Sequence, residues 1–198
     1  MSRGRLEAFS DGVFAVAITL LALNLAVAGP GHGPLLRQLT DHWPAFVAYL
    51  ISFFTVGIIW VNHHALMDNI AFVDRKLLFL NLLLLLFVVG IPFATATMAD
   101  YLAANDQDAR IAMALYALVL LCMSLSFAAI FGWSLGAGRT HHPVPPEART
   151  AAWLRFTVGA LVYVIALAVG FISPLAALAI IGLVALYYMF ERTPTAAR

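Results

Sequence analysis

Six apolar stretches, each bounded by charged or turn-forming residues, fill most of this sequence and leave little between them. They run over residues 8–28, 43–66, 77–98, 111–135, 153–172 and 175–190. A helix needs roughly 20 apolar residues to cross a bilayer. The chain is therefore expected to be an all-α membrane protein, with six transmembrane helices in one domain spanning residues 1–198. Its residues are 63% hydrophobic and 11% charged, against about 45–50% and about 25% in soluble domains. That balance excludes an ordinary cytosolic globule, and disorder requires the opposite one.

The charged residues that remain set an orientation. With the N-terminus inside, the inner side holds Arg3, Arg5, Arg75, Lys76, Arg139, Arg149, Arg155, Arg192 and Arg198, and the outer side only Arg37 and Arg110. Lys and Arg concentrate in cytoplasmic loops, so both termini are expected in the cytoplasm. Trp43, Tyr101 and Trp153 fall near helix ends, where amphipathic rings favour the interface. The net charge of +1 supplies no field for nucleic acid. The single cysteine, Cys122, excludes an intrachain disulfide and four-cysteine metal sites. Arginine and alanine usage hints at a GC-rich bacterial source, hence a bacterial plasma membrane.

No internal repeat or long linker divides the chain. Gly29 to Pro34 ends the first stretch, and Ser173-Pro174 makes the last two a tight hairpin. Gly136 to Thr150, with Pro143, Pro145 and Pro146, reads as a stiff cytoplasmic loop.

The first stretch carries the chemistry. Asp11 enters an otherwise apolar span, where a carboxylate is costly and so marks a functional site by default. The plain alternative is a carboxylate favoured near a helix N-terminus. At about 100° per residue, Arg5, Phe9, Gly12, Val16, Leu20, Leu23 and Val27 share one stripe. Ala8, Ala15, Ala22 and Ala26 form a small-residue face beside it, of the kind that lets membrane helices approach closely. Ser10 and Asp11 point away from the bulky stripe, so Asp11 reads as a buried polar anchor.

Arg5-x-x-x-Phe9-Ser10-Asp11, continuing Gly-Val-Phe-Ala-Val-Ala-Ile-Thr-Leu-Leu, closely resembles the opening of the transmembrane-protein-175 family of potassium channels. Gly57-x-x-Trp60-x-Asn62-His63-His64 is similar to that family's second-helix pattern. The resemblance implies a homotetramer with a potassium-favouring cation pore on its symmetry axis, lined by the first helix. It implies a hydrophobic constriction in place of a carbonyl filter, at Val16, Leu20 and Leu23 with Thr19 beside them; Val27 extends the stripe. Val16 departs from the commoner Ile or Leu, which points to a wider layer there. The resemblance also implies a polar network from Arg5, Phe9, Ser10 and Asp11 to the second helix. Trp60 and His64, spaced i, i+4, share a face, and Asp11 is expected to take a donor from the Trp60 indole or an imidazole.

His63-His64 and His141-His142 invite a metal reading. Neighbouring side chains on a helix point about 100° apart, and no His-Glu-x-x-His pattern is present. His63 and His64 read instead as network or pH-sensing residues, and no cofactor is expected beyond the conducted potassium. Thr55-Val56-Gly57 runs on into Ile58-Ile59, so it is not a potassium filter. Gly132-x-x-x-Gly136 has helix-packing spacing, Pro92 is expected to bend its helix, and Asp106 and Asp108 on the outer loop read as a solvated turn, the alternative being carboxylates that concentrate cations at a mouth. Catalytic motifs are missing, so no enzyme is expected. The rival function is a proton-coupled secondary transporter using Asp11.

Overall fold

The computed structural model describes residues 2–104 and 106–190; Arg192 and Arg198, counted above for orientation, lie outside them. The described chain is all-helical. Its elements are α1 (Arg3–Leu21), a 3-10 turn (Ala22–Leu25), α2 (Leu35–Asp41), α3 (Trp43–Asp68), α4 (Arg75–Leu102), α5 (Gln107–Ser134), α6 (Pro146–Gly170) and α7 (Pro174–Phe190). Five of these are long and apolar enough to cross a membrane: α1 with its 3-10 turn, α3, α4, α5 and α6. At 17 residues, α7 spans only about 25 Å against a hydrocarbon core of about 30 Å.

The helices outrun their apolar stretches at several ends, because a helix can continue into water where capping allows. α4 begins at Arg75, with Asp74 Oδ1 accepting from the Leu77 amide at 2.7 Å. Asp106 caps α5 in the same way, through the Ala109 amide at 3.0 Å. α6 starts seven residues before the apolar boundary, with Pro146 in its first turn followed by Glu147. The expected loop from Gly136 to Thr150 thus gives up its last residues to α6. Proline lacks only an amide hydrogen that the first turn does not use.

What remains of that loop is pinned to the α3–α4 turn. Ala71 donates its amide to Arg139 O at 2.9 Å and His141 donates to Asn69 O at 2.9 Å, beside an isolated bridge between Ile70 and Thr140. Gly136 lies past the end of α5 with Arg139 folded against it, so Gly132 and Gly136 do not form a helix-packing pair. The close helix approach is at Gly170, where an added Cβ would come within 2.9 Å of Met113 Cγ. Pro92 lies inside α4, which continues through it.

The core sits between α1, α3, α4 and α5, with α6 and α7 closing one side. Inside it, Ser52 Oγ meets Thr95 Oγ1 and Tyr116 Oη, both at 2.8 Å. That triad joins α3, α4 and α5 through hydroxyls that have no access to water. The outer surface is largely apolar, with Leu, Val and Phe side chains exposed along every long helix. That is the pattern of a chain solvated by lipid.

Candidate functional site: the two faces of the first helix

α1 packs against α3 and α4 through one face only. Leu6, Ser10, Phe14, Ala17 and Leu21 are buried, at the three- and four-residue spacing of a helix stripe. The opposite face, with Phe9, Val16 and Leu20, is exposed among the described residues. Gly12, Ala15 and Thr19 are exposed on it as well. Among the described residues the stripe stays exposed down to Leu23, whose side chain is 69% exposed in the 3-10 turn.

The 3-10 turn changes the phase of that stripe. At three residues per turn, positions 20, 23 and 26 come into line. Ala26, in extended backbone, is exposed, and Val27 is half-buried. The helical stripe therefore stops short of Val27, contrary to the sequence reading, because the helix itself ends at Leu25. His42 Nε2 holds that end, 2.8 Å from Asn24 O.

At the other end, α1 and α3 form one antiparallel ladder of three rungs. Trp60 Nε1 donates to Asp11 Oδ1 at 2.9 Å. One turn further, His64 Nδ1 is 3.6 Å from Glu7 Oε1. One turn beyond that, Arg3 donates to Asp68 O at 2.6 Å, with Glu7 Oε2 and Asp68 Oδ1 each 3.8 Å from its guanidinium. His64 stacks on Trp60 at 6.2 Å between ring centroids and lies 3.9 Å from Asp68 Oδ2. Asp11 thus takes the indole of the two expected donors and neither imidazole.

His63 belongs to a separate, fully buried chain. Its Nε2 donates to Asn81 Oδ1 at 2.8 Å, Asn81 Nδ2 donates to Ser10 Oγ at 3.0 Å, and Ser10 Oγ donates to Leu6 O at 2.9 Å. The orientation is forced, since an amide oxygen only accepts. His63 Nδ1 has no hydrogen-bond partner among the described residues, and Phe14 packs 5.5 Å from its ring. This chain links α1, α3 and α4 where a loose polar group would be costly.

The structure therefore brings together Ser10 with His63, and Asp11 with Trp60 and His64. It leaves Arg5 and Phe9 on the exposed face, apart from both clusters. Sequence reasoning missed Arg3, Glu7, Asp68 and Asn81. The first three repeat the i, i+4 spacing already noted for Trp60 and His64. Asn81 is a lone amide amid leucines, a signal of the same kind as Asp11. Thr19 Oγ1 donates to Val16 O at 2.8 Å, so its hydrogen is held by the helix backbone and its lone pairs accept no hydrogen bond among the described residues. Among the described residues no group of three His, Cys, Asp or Glu side chains could hold a metal.

The family model described as endosomal/lysosomal potassium channel TMEM175 matches residues 5–92, which hold both faces of this site. A potassium channel of Streptomyces collinus is 44% identical over 200 residues, covering 98% of this chain and 95% of that protein. The chain belongs to the TMEM175 family. The crystal structure of a lysosomal potassium-selective channel TMEM175 homolog from Chamaesiphon minutus superposes with a TM-score of 0.83 at 33% identity, over 94% of this chain and 96% of that one. The chicken endosomal/lysosomal proton channel TMEM175 is 32% identical over 144 residues, which are 68% of this chain and 28% of that protein.

Proposed function

We propose that this chain is one subunit of a potassium-favouring cation channel that conducts passively, with α1 lining a pore on the axis of a homotetramer. The observation that carries this reading is the two-faced packing of α1, whose Val16, Leu20 and Leu23 stay exposed among the described residues. Around an axis, four copies of Leu20 and Leu23 make a collar without hydrogen-bonding groups. Such a collar opposes a hydrated ion by dewetting. Potassium, less tightly hydrated than sodium, meets the smaller cost. Thr19 faces the same way and turns lone pairs to a passing cation. Gly12 and Ala15 let neighbouring copies approach closely.

The Asp11–Trp60 and Glu7–His64 rungs, with the Ser10–Asn81–His63 chain, act in this reading as the anchor that holds α1 at a fixed distance from the axis. Arg5 and Phe9 then lie at the inner end of the pore-side face, and Val27 sits back from its outer mouth. The domain is the whole chain, 1–198, with α7 as the sixth crossing and both ends in the cytoplasm of a bacterium. The channel needs no cofactor and carries out no enzymatic step. The names and near-complete coverage of the Streptomyces and Chamaesiphon relatives support potassium as the ion.

The competing reading makes Asp11 the proton-coupling group of a secondary transporter. A carboxylate already holding an indole N–H at 2.9 Å is better suited to anchoring than to exchange. The deciding experiment is the reversal potential of reconstituted full-length protein under a potassium/sodium gradient, for the wild type and Leu23→Ala. A passive current displaced toward the potassium potential, with conductance or selectivity altered in the variant, is expected. Electrically silent vesicles that accumulate solute only under an imposed proton gradient would overturn the channel. Proton flux belongs in the same assay, because the chicken relative is named a proton channel.

A further inference from the structure

Arg75 and Lys76 stand exposed in the first turn of α4, and neither forms an ion pair among the described residues. Two other cations on the same side, Arg3 and Arg139, are already engaged. Arg3 is held by Asp68 and Glu7, and Arg139 donates to Trp133 O at 2.7 Å with its guanidinium over the indole. The carboxylate adjacent in sequence, Asp74, is occupied on both oxygens, by the Leu77 amide and by Trp133 Nε1 at 3.3 Å.

The two cations head an apolar track. With Phe79, Leu80 and Leu83 they line an open depression of about 640 Å³. The Arg75 guanidinium lies 5.6 Å from the Phe79 ring centroid, drawn along the helix toward its apolar side. Exposed side chains continue the track through Leu86 to Phe93. From Phe79 to the exposed Val89 the rise is about 15 Å, the depth of one leaflet given a hydrocarbon core of about 30 Å.

We propose that this track binds an anionic phospholipid, its phosphate held by Arg75 and Lys76 and an acyl chain laid along Phe79, Leu83 and Leu86. A headgroup with net negative charge is selected over a zwitterionic one, because the ammonium of the latter would face the same two cations. The inference rests on the membrane placement of α4 and is independent of whether the protein conducts potassium.

Native mass spectrometry of the full-length protein, titrated with phosphatidylglycerol or phosphatidylcholine in detergent, tests it. The wild type should retain phosphatidylglycerol preferentially. Near an anionic surface each Lys or Arg is worth about fivefold, so Arg75→Gln with Lys76→Gln should cut the preference by about thirty-fold. Arg75→Lys with Lys76→Arg keeps the charges and should keep the preference. An unchanged preference in the glutamine variant would overturn the proposal. So would displacement of the lipid by millimolar glycerol phosphate, which would mark a site for soluble anions. A benzophenone crosslinker placed at Leu86, exposed on the track, should capture lipid; capture of a neighbouring subunit instead would show that protein covers the track and would overturn the proposal.

Discussion

The Trp60–Asp11 contact offers the sharpest test of how α1 is held. Trp60→Phe keeps an aromatic ring for His64 to stack on and removes the single N–H that Asp11 Oδ1 accepts at 2.9 Å. A hydrogen bond to a charged acceptor contributes about 1.5–3 kcal/mol. Interhelical polar pairs in membrane proteins show couplings nearer 0.6 kcal/mol, with a maximum near 1.7 kcal/mol. Trp60 is 40% exposed within the chain, which places this pair toward the membrane-protein values. A coupling of about 1 kcal/mol is expected from a double-mutant cycle of Trp60→Phe and Asp11→Asn, measured by thermal unfolding of detergent-solubilised full-length protein. The same variants in bilayers should shift the open fraction in parallel, since both release one point of attachment. Unfolding energies that add to within about 0.3 kcal/mol would show no interaction, and the anchoring argument would fail. A proton-coupling role makes the opposite forecast: Asp11→Asn abolishes flux while Trp60→Phe leaves it untouched.

Other expectations follow from single contacts. Asn81→Ala removes the link between His63 and Ser10, and leaving buried groups unpaired should cost about 1–3 kcal/mol in the same unfolding assay. Asp74→Ala deletes both the α4 cap and the acceptor for Trp133, a loss of about 1–2 kcal/mol, with increased protease cleavage near residue 74 as a second readout. Thr19→Val preserves shape and removes the lone pairs facing outward; potassium conductance should fall while unfolding stays unchanged. Gly170→Ala drives a methyl within 2.9 Å of Met113 Cγ and should destabilise by about 1–3 kcal/mol.

How much of this was legible in the residues depends on range. Long apolar runs announce crossing helices because lipid leaves backbone groups no partner outside the helix itself. Their ends were less legible, because hydrophobicity marks where lipid stops and capping marks where the helix stops. Pro146 with Glu147 was a start signal that the apolar boundary at residue 153 concealed. α2 has only seven residues, with Leu35, Leu36 and Leu39 around Arg37 and Gln38, too short for periodicity to separate it from a loop. The 3-10 turn at Ala22–Leu25 also left no mark in composition, and with it went Val27 as a continuation of the stripe.

The sequence by itself determined the all-α class and the stripe from Phe9 through Leu23, because these depend on hydropathy and helical period, which are local. It also singled out Asp11, since the cost of a carboxylate in an apolar span needs no partner to be recognised. Only the tertiary structure decided which face of α1 is buried, which donor Asp11 accepts from, and that His63 and His64 serve different networks. Those outcomes depend on the register of α1 against α3 and on α4 carrying Asn81 to Ser10. Register is fixed by how side chains from distant segments interlock, and helical period does not encode it.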